Sequence, residues 1–268
     1  MAAAGCAPGD GTWIDASVAA DIDFAHDPAA ARGALAGLTA IDVVVQPIAG
    51  RRKRLLIADM DSTMITVECI DELADYAGIK DQVSAVTEAA MRGELDFEGA
   101  LDARVALLAG LRETVIEQCL AERVTIMPGA RALVRTMRAH GATAILVSGG
   151  FTRFADPVAR EIGFDRAVAN RLLIENGTLT GKVARPIVGA DAKLANLDAA
   201  IAAMGIDRHA TLAVGDGAND LKMIAAAGLG VAYRAKPIVA AAAGARIDHG
   251  DLSALLYAQG YARRDWVD

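Results

Sequence analysis

The chain has few cysteines, few aromatic side chains and no long hydrophobic run. Its three cysteines, Cys6, Cys69 and Cys119, lie too far apart along the 268 residues for a disulfide framework or a zinc site. This cysteine usage predicts a reducing, cytoplasmic compartment. The uncharged apolar stretches, such as 142–151 and 223–233, are shorter than the roughly 20 residues that cross a bilayer, so no membrane span is predicted.

Basic residues are also in the minority. The 27 lysines and arginines are outnumbered by 34 acids, and the net charge of -7 argues against nucleic acid or anionic lipid as a partner. Charged residues at 23% and hydrophobic residues at 54% indicate a folded globule of one large or two small domains. The composition leaves a homodimer open.

Strands, turns and helices alternate from residue 55 onward. Three predicted strands each end in a polar or glycine-rich turn: 55–58 before Asp59, 143–147 before Ser148-Gly149-Gly150, and 211–214 before Gly215-Asp216-Gly217. Helical patterns follow the second and third turns, at 152–162 and 218–227. This repetition predicts an α/β fold with a Rossmann-like, three-layer parallel sheet, in which ligands bind beyond the carboxyl ends of the strands.

Two segments interrupt this alternation, and a third precedes it. A helical insert follows the first turn, and its position predicts a small cap over the strand ends, with helices at 71–77, 82–92, 97–109 and 113–122. Asn176-Gly177, within 171–183, predicts a type I′ hairpin. Residues 1–50 predict a short α+β segment that leans on the rest, with a strand at 12–24, a helix at 28–38 and a strand at 41–46.

Two carboxylates, Asp59 and Asp61, follow the first strand. They can bind a hard cation, act as nucleophile and acid, or do both. An EF-hand is excluded, because Met64 stands where the loop needs glycine and Ile70 where it needs glutamate. An Asx turn that caps the next helix explains this pair of residues equally well.

A second acidic group, Asp216, Asn219 and Asp220, follows the third strand. Asn219 or Asp220 is expected to cap the next helix whatever else it does. Like charges gathered at the ends of neighbouring strands repel one another unless a cation holds them. Oxygen ligands without histidine or cysteine predict Mg²⁺ rather than zinc or copper.

Two further features suggest an anion at the same edge of the sheet. Ser148-Gly149-Gly150 offers a hydroxyl and free amides before a helix, which can bind an anion. Ser-Gly-Gly after a strand is, however, more often a turn with no ligand. Lys193 lies in the first turn of a helix predicted at 191–204, where the helix dipole disfavours a cation. It is either a solvated lysine or a cation directed at phosphate.

Arg104 lies unexpectedly on the apolar stripe of its helix, among Phe97, Leu101 and Leu108. A guanidinium there needs an anion, either an internal acid, which is the commoner case, or a ligand. Glu68 follows Asp59 by nine residues, where the chain enters the cap, and reads equally well as a surface carboxylate.

These motifs together resemble the haloacid dehalogenase-like phosphohydrolases. The resemblance extends from residue 55 to about 258 and rests on four motifs in order: Asp59-x-Asp61-Ser-Thr, Ser148-Gly-Gly, Lys193 and Gly215-Asp-Gly-x-Asn-Asp220. Within that superfamily the chain looks like the phosphoserine phosphatases, since the segments DMDSTMITVECIDELA, MRGELDFEGAL and GDGANDLKMI resemble theirs. The implied activity is release of L-serine from O-phospho-L-serine, the last step of serine biosynthesis.

The resemblance also implies a role for each residue. Asp59 is the implied nucleophile and Asp61 the acid and base, while Mg²⁺ is held by Asp59, the Asp61 carbonyl and Asp216. The other implied roles concern the substrate: Ser148, Gly149, Lys193 and Asn219 bind phosphoryl oxygens, Asp220 positions Lys193 or a metal-bound water, Glu68 meets the ammonium, Arg104 meets the carboxylate, and Phe97 lines the pocket.

The resemblance does not extend over the front of the chain. Many bacterial relatives carry an amino-acid-sensing (ACT-like) domain there, and residues 1–50 are expected to be an abbreviated remnant, followed by a phosphatase core at 51–268 with its cap at about 66–125. Two other activities remain open: action on another small monoester, including phosphate transfer to an alcohol such as homoserine, and a non-catalytic amino-acid sensor. Intact Asp59, Asp61, Asp216 and Lys193 argue against the sensor.

Overall fold

A six-stranded parallel sheet forms the centre of the fold in the computed structural model, which describes residues 1–91 and 94–267. Arg92, the last residue of the predicted helix 82–92, and Gly93 both belong to the MRGELDFEGAL segment; they lie outside the described residues, as does Asp268. The strands are β1 Pro8–Asp15, β2 Ala19–Phe24, β3 Leu55–Ala58, β4 Thr143–Phe151, β5 Arg166–Asn170, β6 Leu172–Glu175, β7 Thr178–Val183, β8 Thr211–Gly215, β9 Leu229–Tyr233 and β10 Ala245–Ile247.

Helices cover both faces of this sheet. The α-helices of the described chain are α1 Pro28–Leu35, α2 Cys69–Tyr76, α3 Lys80–Met91, α4 Phe97–Ala106, α5 Thr114–Arg123, α6 Ala130–Ala139, α7 Thr152–Ile162, α8 Ala190–Met204, α9 Leu221–Ala226, α10 Pro237–Ala242 and α11 Ala254–Ala258. No helix among them combines the length and the apolar character that a bilayer crossing requires, as far as the chain is described.

The sheet order is β10-β9-β8-β3-β4-β5, which makes β3 a central strand between β4 and β8. All four residues of β3 are buried because it packs against helices on both faces. Leu56 and Ala58 join the cluster that includes α6 and α7, while Leu55 and Ile57 join the cluster that includes α8 and α9. The predicted three-layer α/β fold is confirmed.

Helices α2 to α5 form the insert that follows β3. Their apolar faces, with Leu73, Leu101 and Ile116, belong to the same buried cluster as β3 and β4. The four helices predicted for this insert are therefore present, with ends shifted by up to three residues. Helix α4 ends three residues before the predicted end at residue 109. The residues that follow it form a turn, and this turn leads into a loop that contacts another part of the chain.

That contact is with the hairpin β6–β7. Its turn residues, Asn176 and Gly177, have φ of 49° and 76°, as a type I′ turn requires, so the predicted hairpin is confirmed. Backbone hydrogen bonds join it to the loop between α4 and α5. They are Gly110 N–H to Leu179 O at 2.8 Å, Leu179 N–H to Leu111 O at 2.8 Å, and Glu113 N–H to Gly177 O at 2.9 Å.

The N-terminal segment differs from its prediction. The single strand predicted at 12–24 is wrong, because the chain reverses at Ser17, with φ 60°, and forms the antiparallel hairpin β1–β2. The strand predicted at 41–46 is also wrong: this stretch has no strand assignment, and its Val45 is instead buried against Cys6 and Ala31. The helix predicted at 28–38 ends at Leu35.

The N-terminal segment, residues 1–50, packs against the C-terminal part of the chain, in agreement with the prediction that it rests on the rest of the protein. The Asp42 carboxylate accepts hydrogen bonds from the amides of Asp248 and Gly250, both at 2.7 Å. The Tyr257 hydroxyl donates to Asp15 at 2.6 Å. These contacts fix the segment at the end of the sheet that carries β10.

Candidate active site

The carboxyl ends of β3, β4 and β8 bring the predicted motifs together. Asp59 directly follows β3, Ser148 lies near the end of β4, and Asp216 directly follows β8. These strands are neighbours and parallel, so their ends meet at one edge of the sheet. All three side chains are at least 90% buried.

Lys193 is buried completely at the centre of this edge. Its Nζ donates to Asp59 Oδ1 at 2.6 Å and to Asp220 Oδ1 at 2.7 Å. Burial lowers the pKa of Lys193, but the carboxylates of Asp220 and Asp59 outweigh burial and leave the pKa above its usual value. The lysine is therefore a fixed cation, and its interpretation as a solvated side chain is wrong.

One lysine does not balance the carboxylates around it. Burial, then the charge of Asp220, raises the pKa of Asp59 well above its usual value, although Lys193 opposes this. Burial and the same neighbour raise the pKa of Asp216 to about 6. The site thus carries an excess of negative charge that a bound cation would relieve.

The donor set fits a hard divalent cation. One oxygen each from Asp59, Asp216 and Asp220 lies within 4.8 Å of the others. Both oxygens of Asp220 already accept hydrogen bonds, from Lys193 Nζ at 2.7 Å and from Gly217 N–H at 3.0 Å. Asp59 and Asp216 each keep one oxygen without a hydrogen bond to any described residue, and oxygen-only ligation suits Mg²⁺.

Asp61 lies beside the same edge. Its Oδ1 accepts the Cys69 N–H at 3.2 Å, and a Cβ added to Gly150 would lie 2.7 Å from its Oδ2. Burial, with the nearby charge of Glu68, raises the pKa of Asp61 to about 7. A carboxyl with that pKa can both give and accept a proton near neutral pH.

The turn after β4 is shaped by its two glycines. The Gly150 N–H donates to Ser148 Oγ at 2.8 Å, and no described residue accepts the hydroxyl proton of Ser148. A Cβ at Gly149 would lie 3.2 Å from the Phe97 ring and 3.5 Å from Asn219 Nδ2. Phe97 and Asn219 therefore flank this turn from the cap and from the end of β8.

The cap side of the site is more open. Glu68 is exposed, and its Oε1 accepts the Ser62 hydroxyl at 2.8 Å. Arg104 is half-buried, and its Nε donates to the Ala100 carbonyl at 3.2 Å. Among the described residues no carboxylate forms an ion pair with Arg104, so the internal partner considered from the sequence is not found there. Phe97 is 37% exposed.

Two supporting residues escape the sequence analysis. The Thr63 hydroxyl donates to Asp216 Oδ1 at 3.0 Å and fixes that carboxylate. Asn170, at the end of β5, hydrogen bonds to Gly149 O at 2.8 Å. Thr63 could have been noticed as the last residue of the Asp-x-Asp-Ser-Thr turn, whereas Asn170 carries a signal only in its place at a strand end.

Comparison with known proteins places this geometry in a family. The model of the haloacid dehalogenase-like hydrolases matches residues 56–225, which is more than half of the chain. The chain belongs to this family. The matched region contains every site residue described above, from Asp59 to Asp220.

Several similar proteins within the family are described as phosphoserine phosphatases. Phosphoserine phosphatase SerB2 of Mycobacterium tuberculosis is 47% identical over 225 residues, which are 83% of this chain and 55% of that protein. The chain therefore spans little more than half the length of this curated relative.

Solved structures that superpose on this chain include phosphoserine phosphatases. A probable phosphoserine phosphatase from Vibrio cholerae, in unliganded form, superposes with a TM-score of 0.77 at 37% identity, covering 91% of this chain and 76% of the other. A phospho-aspartyl intermediate analogue of phosphoserine phosphatase superposes with a TM-score of 0.71 at 38% identity, covering 77% and 98%.

Proposed function

We propose that the protein hydrolyses O-phospho-L-serine to L-serine and phosphate through an aspartyl-phosphate. Support comes from the buried group of Asp59, Lys193 and Asp220 beside Asp61. The phospho-aspartyl analogue of a similar phosphatase supports the covalent route. The identity to the Mycobacterium tuberculosis phosphatase supports the substrate.

Substrate binding divides between sheet and cap. Lys193, the Ser148 hydroxyl, the Gly149 N–H and Asn219 bind the phosphoryl oxygens, and Asp220 holds Lys193 in place. On the cap, Glu68 binds the ammonium, Arg104 binds the carboxylate in a forked contact, and Phe97 lines the pocket. A zwitterionic amino acid requires both cap charges, whereas a simpler monoester does not.

The chemical steps then fall to two carboxyl groups. An Asp59 oxygen attacks phosphorus and forms an O–P bond as the bond to the seryl oxygen breaks. Protonated Asp61 gives its proton to that oxygen, and L-serine leaves. Asp61, now ionised, takes a proton from water as the water attacks phosphorus, which returns Asp59 and releases phosphate.

A metal completes the proposal. Asp59, the main-chain carbonyl of Asp61 and Asp216 would hold Mg²⁺, and Thr63 keeps the Asp216 carboxylate oriented. When bound, Mg²⁺ neutralises charge between the anionic nucleophile and the phosphate. Asp61 thus contributes its carbonyl to the metal and its carboxyl to proton transfer.

The observation that carries the proposal is the buried cation of Lys193 bonded to Asp59, because it holds positive charge where the phosphoryl group must lie. The deciding experiment measures phosphate release from a panel: phosphoserine, phosphothreonine, phosphoethanolamine and a sugar phosphate. We expect phosphoserine to have the highest kcat/KM. A preference for another monoester, phosphate transfer to added homoserine, or no turnover with retained serine binding would each replace the proposal by one of its alternatives.

We also infer a division of the chain at residue 50, with the phosphatase core in 51–268 and an ACT-like remnant before it, in a protein of the cytoplasm. The separate small cluster of Cys6, Ala31 and Val45 supports the division. In residues 1–50 the structure forms the antiparallel pair of strands β1 and β2.

A further inference from the structure

Strand β4 bulges where it approaches the site. It pairs with β5 through Val147 with Val168 and then through Phe151 with Asn170, so three residues of β4 lie opposite one residue of β5. The stretch between these pairs is Ser148-Gly149-Gly150, the proposed phosphoryl-binding turn. A bulge removes backbone groups from the ladder, and a buried carbonyl released in this way needs another donor.

The side chain of Asn170 supplies that donor. Asn170 is 1% exposed, and its Nδ2 donates to the Gly149 carbonyl at 2.8 Å. Its Oδ1 accepts the Val188 N–H at 2.7 Å. One amide thus joins the bulge to the segment that precedes α8.

The hydrogen bond from Asn170 Nδ2 to the Gly149 carbonyl fixes the orientation of the Ser148 hydroxyl. Gly149 C=O and Gly150 N–H belong to one planar peptide unit, so fixing the carbonyl also fixes the direction of the N–H. That N–H donates to Ser148 Oγ at 2.8 Å. Asn170 therefore orients, through one peptide, the hydroxyl that binds a phosphoryl oxygen.

The hydrogen bond from the Val188 N–H to Asn170 Oδ1 fixes the position of Lys193. Val188 precedes Gly189, whose carbonyl accepts the Lys193 N–H at 3.0 Å in the first turn of α8. The start of this helix sets where Lys193 Nζ meets Asp59 Oδ1, at 2.6 Å. The side-chain amide of Asn170 thus positions both the turn that carries Ser148 and the start of the helix that carries Lys193.

We propose that Asn170 is a positioning residue that aligns the Ser148 turn and the Lys193 helix as one phosphate cradle. The proposal rests on the proposed function for the roles of Ser148 and Lys193, and it adds the device that sets their spacing. It also predicts selectivity: loss of Asn170 should weaken binding of the phosphate part of the substrate and spare binding of the serine part, which contacts the cap.

The experiment compares Asn170→Asp with a matched control. Gln259 is also a fully buried amide that joins two backbone groups, accepting the Lys53 N–H at 3.0 Å and donating to Leu255 O at 2.9 Å, but it lies where β3 begins, at the opposite end of the sheet. Gln259→Glu therefore carries the same chemical change away from the site. The inhibition constants for inorganic phosphate and for L-serine are measured for wild type and both variants, with melting temperatures.

We expect Asn170→Asp to lower kcat/KM about 100-fold, the scale of a misplaced binding group, and to raise the phosphate inhibition constant at least about tenfold with little change for L-serine. Gln259→Glu should lower the melting temperature alone. Equal weakening for phosphate and L-serine, or an unchanged phosphate constant, would overturn the proposal. If Asn170→Asp does not fold, Asn170→Ser gives the same comparison without a buried charge. If phosphoserine is not the substrate, phosphate inhibition of p-nitrophenyl phosphate hydrolysis still tests Asn170, so the two failures are distinguishable.

Discussion

On the sheet side of the site, Asp59, Lys193 and Asp220 are buried and bonded to one another, whereas on the cap side Glu68 is exposed and Arg104 has no acidic partner among the described residues. The sheet side is thus organised before any ligand arrives. On the cap side neither Glu68 nor Arg104 forms an ion pair within the part of the chain that the structure describes, so both charges are available to a ligand. Groups held in place cost no reorganisation during reaction, which suits the chemical steps, and groups left unpaired suit selection of the leaving group.

The largest loss of activity is expected from a change on the sheet side. Asp59→Asn should lower phosphate release roughly 10³-fold or more, because the amide is nearly isosteric but a poor nucleophile. The melting temperature should change little, which a thermal scan of the same preparation establishes. Substantial turnover by clean, folded variant would contradict the covalent route.

Removal of metal should have a comparable but reversible effect. EDTA should silence phosphoserine hydrolysis, and Mg²⁺ should restore it, because Asp59, Asp61 and Asp216 then lack the cation that balances them. Ca²⁺, with its larger radius and looser coordination, should restore little activity. Full turnover by protein shown to be metal-free by elemental analysis would be the opposite result.

On the cap side, Arg104→Ala should cost about 2–3 kcal/mol of transition-state stabilisation toward phosphoserine, as for a forked charged contact. Phosphoethanolamine lacks the carboxylate, so its slower hydrolysis should change far less. The matched control is Arg123→Ala, another cap arginine, which pairs with Glu72 and Asp75 and should leave kcat/KM unchanged. Equal losses on both substrates would make Arg104 a structural residue.

The smallest effect concerns stability rather than activity. The pKa of Asp216 is raised to about 6, so its ionised form is disfavoured in the folded, metal-free protein. This destabilisation is absent below the ordinary pKa, grows as pH rises toward about 6, and persists above it. Asp216→Asn should therefore stabilise metal-free protein by about 1–2 kcal/mol near pH 7.5 and hardly at all near pH 4. Urea titrations at both pH values measure this, and a stabilisation independent of pH would contradict it.

The sequence predicts the sheet side of the site well, since buried strands of four or five apolar residues end in motifs whose residue types are chemically unusual. Asp59, Ser148 and Asp216 could therefore be placed together from residue type and position in the chain alone. The N-terminal segment fails for the opposite reason: the reversal at Ser17 uses no glycine or asparagine, and the stretch at 41–46 has a strand-like composition without a strand beside it.

The sequence gives no role to Asn170 or to Thr63, although Thr63 belongs to the Asp-x-Asp-Ser-Thr turn. Each acts on a residue brought near by the fold: Thr63 on Asp216, which is distant along the chain, and Asn170 on the backbone of Gly149 and Val188. Their contacts depend on strand order and on the bulge in β4, neither of which leaves a periodic signal. Residue type and position predict the reactive groups that follow β3, β4 and β8, whereas the contacts of Thr63 and Asn170 are not predicted because they arise only when the chain folds.

The hairpin β6–β7 has a consequence for motion. Its three backbone hydrogen bonds to the loop between α4 and α5 mean that the cap is attached to the rest of the chain at more than its two covalent ends. A cap that moved alone would leave these groups unpaired, at about 1–3 kcal/mol for each one that stays buried. The less costly displacement carries the hairpin with the cap, so the amides of Gly110 and Leu179 should exchange with solvent far more slowly than loop position alone implies.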